Sequence, residues 1–479
     1  MDDRSKVFRK WDALQGRQTA VSPAEVLPED DLVFFLLDLV PRLDLSAFLK
    51  FYSTDLRGQP PFDVAMMVTL LVYAYSVGVF SSRKIAAACE RNMAFRAIVG
   101  RDRPDFRTIS NFRLNHLGAI KPLFVDVLRV AGSLGMVRLG NLATDGSKIE
   151  ANASRHKAMS YGYMLKELQR LEQEVAQLLQ QATQVDSEQD AALGSRRGDE
   201  LPEELKRRED RIRKITAAKA RLEAEARQRA DAEQAQRDAA QAERDAAGRK
   251  RPGKAPAPVD PTPADKAQTN FTDADARIMK RSNKGFDYCY NGQTVVDAKH
   301  QIIVAAEVTN AANDKQQAIP LGTAALENVA AADIERPRDA NGNPLPIPNT
   351  ADSGYFSEEN VRQAEALGLD PYYAVGRQKH HEPQPSTAAA DEAATSPQAD
   401  TAVELTLKQR MALKLRTGTG RQLYAARKQI VEPVFGQIKH VRGFRKFLLR
   451  SLEKAAGEWQ LVCLTHNLLK IWRFAKCTT

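Results

Sequence analysis

More than a hundred polar, helix-forming residues separate the first strand-like run of this chain from all the others. That run, "VRLGNLATDGSKIEA" from Val137, is short, apolar and β-like until it reaches "TDGS". Beyond it Met164, Leu168, Leu171, Val175, Leu178 and Ala182 step by fours and threes, which is a heptad seam. After "GSRRGDELP" a second seam passes through Leu205, Ile212, Ile215 and Leu222 and fades into Ala-, Arg- and Glu-rich sequence. Two amphipathic helices joined by a Gly/Pro turn predict an antiparallel coiled-coil hairpin, and "GRKRPGKAPAPVDPTPADKAQ" reads as a disordered return linker. A strand stranded on one side of such an insertion must find its sheet partners on the other.

Strand chemistry resumes in "YNGQTVVDAKHQIIVAAEVT", where "DAKH" between two β-branched runs predicts a hairpin. "DKQQAIPLGTAALENVA" reads as a helix, "IPNTADSGY" as a strand ending in an acid, "SEENVRQAEALG" as a helix and "PYYAV" as a short strand. Low-complexity sequence from His380 to about Ala402 is expected to be a flexible excursion, and His380-His381-Glu382 lacks the spacing of a zinc site. "LEKAAGEWQLVCLTHNLLKIWRF" closes the chain as an amphipathic helix. Without the insertion, the order is that of a mixed α/β layer, a sheet covered by helices.

Residues 1–135 read as helical throughout. "VAMMVTLLVYAYSVGVF", Val64 to Phe80, carries no charge, but Asp63 before it and Ser81-Ser82 after it are cap and turn signals of a buried core helix, so no membrane partner is expected. "SSRKIAAACERN" and "RPDFRTISNFRLNHL" are short capped helices that would expose Arg83, Lys84, Arg107, Asn111 and Arg113, as a helix-turn-helix reader of DNA does; a helical domain with a solvated charged face fits equally. The formal charge of +9 suits a polyanion partner. Four scattered cysteines, with no CxxC pair, fit free thiols in a reducing cytoplasm.

Three acids stand out. Asp145 in "TDGS" and Asp352 in "ADSGY" lie at strand exits beside small residues, where ligands of α/β sheets collect. Glu432 sits alone among cations in "YAARKQIVEPVFGQIKHVRGFRK". Taken singly, each is an ordinary turn or salt-bridged acid. Taken together they suit phosphoryl transfer on a nucleic acid, because Mg²⁺ takes hard oxygen ligands and leaves the remaining positions to water and phosphate. Two such ions roughly 3.5–4 Å apart can activate the attacking oxygen and stabilise the leaving one. Arg442, Arg445, Lys446 and Arg450 are candidate phosphate contacts, or cations whose stems flank a core. Lys148 and Arg155 are phosphate contacts or solvated loop residues, and Tyr355 and Phe356 are read as core packing rather than base-stacking rings.

The blocks "LATDGSKIEANAS", "NTADSGYFSEENV" and "YAARKQIVEPVFGQIK", in that order, resemble the DDE transposases of bacterial insertion sequences, within the retroviral-integrase and ribonuclease H-like group. The resemblance extends to the N-terminal "SSRKIAAACERN" and "RTISNFR". It implies a ribonuclease H-like core of mixed α+β and α/β character, built from residues 136–155 and 271–479, interrupted by the coiled-coil insertion and linker of 156–270 and preceded by the helix-turn-helix-type domain of 1–135. By that likeness Asp145 is the first catalytic acid at the end of the first strand, Asp352 the second just past the fourth strand, and Glu432 the third on the following helix. They would hold two Mg²⁺ ions, or Mn²⁺. The partners implied are double-stranded DNA, as element ends and target, and a second copy of the chain in synapsis, at the bacterial nucleoid. An end-binding repressor without catalysis, and a nuclease that cuts without joining, are the alternative readings.

The family carries a Tyr-Arg-Glu-Lys pattern with two, three and six intervening residues; Tyr424, Arg427, Glu432 and Lys439 give two, four and six. Lys428, four before Glu432, shares its helix face, so Tyr424, Lys428 and Lys439 are placed on the Glu432 side with Arg427 as the alternative. Pro433 means that the helix either bends or begins near Glu432.

Overall fold

The computed structural model describes residues 9–12, 22–52, 60–193, 203–248, 257–281, 285–376 and 405–478, so the expected excursion from His380 to Ala402 lies outside the described residues. The chain divides into two compact units, Met1–Asn152 with Arg277–Thr479, and Ala153–Ala276.

Among the described residues the first unit begins with eight α-helices. α1 (Pro23–Val26), α2 (Leu32–Leu39) and α3 (Ser46–Leu49) precede α4 (Val64–Ser76), then α5 (Ser82–Arg91), α6 (Met93–Val99), α7 (Phe106–Asn115) and α8 (Leu117–Ser133). Side-chain caps start several of them: Asp63 accepts from Met66 N at 2.9 Å and Asp105 from Thr108 N at 2.6 Å, satisfying amides that have no partner inside the helix. α4 is buried on every side, as its uncharged sequence requires. No described helix is long and apolar enough to cross a membrane.

The sheet of this unit has six strands: β1 (Leu142–Glu150), β4 (Arg277–Arg281), β5 (Gly285–Asp297), β6 (Ile302–Thr309), β7 (Ile347–Ala351) and β8 (Leu369–Tyr373). β5 pairs antiparallel with β1 on one edge, and its other edge is shared by β4 and β6. β1 is parallel to β7 and β7 to β8, so the sheet is mixed, running β6-β5-β1-β7-β8. The β5–β6 hairpin turns at 298–301, the "AKHQ" segment. Crossovers between the parallel strands carry α11 (Ala318–Ala331) and α12 (Glu358–Ala366). The last helices are α13 (Leu407–Lys414), α14 (Gly418–Gly436), which continues as a π-helical turn over Gln437–Val441, and α15 (Leu452–Thr478).

α15 is the spine of the unit. Trp459, fully buried, donates from Nε1 to Gln293 O at 3.0 Å, and Asn467 closes both hydrogen bonds of Ile303 on β6. Glu458 accepts from Tyr75 Oη at 2.8 Å and from the amides of Leu448 and Leu449, while Arg113 donates to Tyr75 Oη at 2.9 Å. Such a buried polar chain is tolerated because its hydroxyl, carboxylate and guanidinium Nη groups pair with one another, although Arg113 Nε finds no hydrogen-bond partner among the described residues.

The second unit holds the hairpin helices α9 (Tyr161–Leu193) and α10 (Glu203–Ala246) and the two-stranded β2 (Ala158–Ser160) and β3 (Gln268–Asn270). Tyr161, Met164 and Leu171 pack with Ile215 and Leu222, and Leu168 and Ile212 are partly buried against them. Tyr161 bonds Glu223 and Glu174 bonds Arg208, so the two helices run in opposite senses.

Candidate active site

β1 and β7 lie side by side with Thr144 opposite Ala351, so Asp145 and Asp352 emerge at adjacent positions. Asp145 is the fourth residue of a nine-residue strand, not the end residue expected from "TDGS": β5 supplies partners all the way to Glu150, and the strand continues past the glycine. Gly146 is required there by close packing, since a Cβ would overlap the Gln293 amide and lie 2.9 Å from Asn291 Oδ1. Asp352 stands just past β7 in a turn, where Gly354 N donates to its Oδ1 at 2.8 Å. Burial pushes the Asp145 carboxyl up to about 6; the neighbouring Asp352 charge pushes the same way, and Arg427 with the Gly146 amide pulls against them.

α14 lies against this pair. Thr417 caps it at Gly420 N, and Gly420, Ile430, Val431, Val434 and Phe435 form its buried stripe. Arg427 falls on that stripe, is 8% exposed, and donates from Nη1 to Asp145 Oδ2 at 3.0 Å. Its guanidinium also lies 5.9 Å from the half-buried Tyr424 ring. Lys439, in the π turn, reaches Ser147 Oγ and Lys148 O; burial is the main reason its ammonium is drawn down to about 8.

The helix face is therefore set differently from the sequence expectation. Arg427, not Lys428, meets Asp145, because the apolar stripe fixes the rotation of α14 and Lys428 is left at solvent. Glu432 is exposed as well. Five residues past Arg427 is one turn plus about 140°, which carries Glu432 off the stripe. Among the described residues no group of three or more His, Cys, Asp or Glu side chains is placed to hold a metal ion. The structure thus brings Asp145 and Asp352 together and leaves Glu432 outside.

Pro433 neither starts nor breaks the helix. It removes one amide donor, and the carbonyl so freed, Gln429 O, accepts from Gln301 Nε2 at 2.9 Å.

A divalent cation suits the aspartate pair. Both carboxylates offer the hard oxygens that such an ion takes, and the charge of Asp352 beside Asp145 is offset from one side by Arg427.

Two families match the chain: "Transposase domain (DUF772)" over residues 21–115, and "Transposase DDE domain" over residues 256–468. The chain is a DDE-type transposase of the insertion-sequence kind. No curated protein and no solved structure matches it. The second match spans Asp352 and Glu432; Asp145 lies outside both, so its place rests on the geometry just described. The family makes DNA the substrate and polynucleotidyl transfer the reaction type.

The transposase presents its cations unevenly. Arg445 is exposed and braced by Lys439 O and His440 Nδ1, and Lys446 is paired with Glu150 at 2.8 Å. Arg442, expected on phosphate, is buried and donates to Val462 O and Thr465 Oγ1. Arg113, expected at solvent, is buried with Tyr75, Phe80 O and Ser82. Both lie under α15, which the local helix pattern does not reveal. Arg107 is exposed, and with Arg83, Phe106, Ser110 and Asn111 it lines an open cleft between α5 and α7, where Arg83 sits 4.8 Å from the Phe106 ring.

Asp314 is the acid that sequence reasoning missed. It follows β6, and its Oδ1 accepts from Asn291 Nδ2 and Gln293 Nε2, each at 2.6 Å. The available signal was two amides at alternate positions, Asn291 and Gln293, on one face of the buried β5.

Proposed function

We propose that this transposase cleaves the ends of a mobile element and joins them to target DNA by metal-dependent phosphoryl transfer on a ribonuclease H-like core. The order β6-β5-β1-β7-β8, with three antiparallel strands followed by two parallel ones, supports that core. The observation that carries the reading is the adjacency of Asp145 and Asp352 on neighbouring parallel strands, beneath a helix that supplies Arg427 and the nearby Lys439.

In this reading Asp145 and Asp352 would hold Mg²⁺ once Arg427 releases Asp145, with water and phosphate oxygens filling the other positions, and Glu432 is the third acid that the family likeness implies. Bound there, Mg²⁺ would activate the attacking water or 3′-hydroxyl and stabilise the leaving oxygen. Arg427 and Tyr424 hold the scissile backbone once freed from the aspartate, Lys439 neutralises phosphate charge, and Arg445, Lys446 and Lys428 grip the flanking duplex. The α5–α7 pair reads the terminal inverted repeats, with Arg83 and Arg107 on the backbone. The domain roles follow: 1–135 binds ends, 136–155 with 271–479 performs chemistry, and 156–270 is a coiled-coil insertion. Synapsis brings two copies together.

The outward position of Glu432 favours one other reading, an end-binding repressor without catalysis. A strand-transfer assay on cognate end DNA separates them. Joined products support the transposase, cleavage alone a nuclease, and a metal-independent gel shift without cleavage the repressor. Asp145→Asn is expected to keep DNA binding and lose at least a hundred-fold in cleavage; cutting at the parental rate would remove Asp145 from the site.

A further inference from the structure

Asp145 and Ser147 point to one face of β1, and Gly146 and Lys148 to the other. On that second face Gly146 is opposite Gln293 and Lys148 opposite Asn291. Both amide side chains turn toward Asp314, whose Oδ1 collects Asn291 Nδ2, Gln293 Nε2 and, at 3.4 Å, Lys148 Nζ. The other end of the Gln293 amide accepts from Tyr355 Oη. Gln293 cannot be flipped, because its oxygen would then face the Asp314 carboxylate. Tyr355 is fully buried and lies three residues past Asp352, in the turn closed by Tyr355 N donating to Asp352 O at 3.2 Å. A continuous hydrogen-bonded chain therefore runs from Asp314 through Gln293 to Tyr355 and into the backbone that carries Asp352.

Two glycines make room for it. Gly146 lets the Gln293 amide lie against β1, and a Cβ on Gly354 would stand 3.0 Å from Asp352 Oδ1 and 3.6 Å from Asp314 Oδ2. Asn291, Gln293 and Tyr355 are all fully excluded from solvent, where apolar side chains of the same volume would hold a sheet together as well. Polar groups so placed fix positions rather than add bulk stability.

We infer that Asp314, Gln293 and Tyr355 are positioning residues that set the height of Asp352 against Asp145, and with it the affinity of the pair for a divalent cation. The inference rests on the reading of the two aspartates as metal ligands. Asp314 does not itself need to touch the cation; it anchors the amide that anchors the tyrosine.

Tyr355→Phe removes one hydroxyl, and Asp314→Asn keeps the shape while removing the charge. The measurements are Mn²⁺ binding to the DNA-free protein by electron paramagnetic resonance, the Mg²⁺ concentration for half-maximal cleavage, and the thermal unfolding midpoint. Both variants are expected to bind Mn²⁺ about ten-fold more weakly and to need about ten-fold more Mg²⁺, as loss of an outer-shell partner does. The cleavage rate at saturating Mg²⁺ should recover to within about three-fold of the parent, a split that a general loss of structure would not give. Unchanged Mn²⁺ affinity in two folded variants overturns the inference. Should the parent protein itself neither bind Mn²⁺ nor cleave, the catalytic reading fails first, and the two failures are thus distinct.

Discussion

At Asp145 opposing influences meet on one carboxyl group. Burial and Asp352 favour the proton, while Arg427 and the Gly146 amide favour the charge, and burial wins, leaving the group near 6. Because the native value lies above the unfolded value of about 4, ionising this group costs stability as the pH rises between the two. Arg427 limits that cost. Arg427→Met is therefore expected to lose about 3 kcal/mol in urea unfolding at pH 7.5, and distinctly less at pH 5, where the carboxyl is protonated and the pair is gone. Equal losses at both pH values would show that Arg427 stabilises only through packing. That an acid belongs at "TDGS" was legible in the sequence; that it would be covered and matched by Arg427 was not, since Arg427 arrives from 282 residues away.

Among the elements, α14 shows how local and tertiary preferences divide. Helix spacing alone pairs Lys428 with Glu432 and sets Arg427 aside. The buried stripe of Ile430, Val431, Val434 and Phe435 decides instead which side meets the sheet, and it brings Arg427 inward. Pro433 is accommodated because Gln301, in the β5–β6 turn with φ of +59°, donates to the carbonyl that the proline leaves bare. Gln301→Ala is expected to cost about 1 kcal/mol by removing the surface hydrogen bond to Gln429 O. In a Pro433→Ala background the restored amide takes over, and the same substitution should cost about 0.5 kcal/mol less. Additive losses in that double-mutant cycle would mean that Gln301 acts through its other contact, with Lys470.

Across the first unit, helices from the start of the chain, a sheet from its middle and the closing α15 share one interior. Glu458 on α15 joins Tyr75 of α4 and Arg113 of α7, and His466 on the same helix donates from Nε2 to Gln301 O at 3.0 Å. Complete burial drives the His466 imidazole down to about 3, so it stays neutral in the folded protein. An unfolded chain protonates that ring below about pH 6.5, so its contribution is present above that pH and is lost as pH falls toward 3. Between pH 7 and pH 5 the parent should lose about 2 kcal/mol more than His466→Gln, which has nothing to titrate. Parallel pH profiles for the two proteins in chemical denaturation would refute this account.

The sequence by itself determined most of the elements and their order: the capped helices, the strands resuming after the insertion, and the two aspartates at neighbouring strands. Caps, periodicity and turn residues act within a few positions, so they can be read locally. The tertiary structure alone decided that Arg113 and Arg442 are interior, that Arg427 rather than Lys428 meets Asp145, and that Asp314 braces the turn of Asp352. Each of those outcomes, for Asp314 its hydrogen bonds to Asn291 and Gln293, depends on groups brought from distant segments, and a side chain's environment is set by what packs on it rather than by its neighbours along the chain.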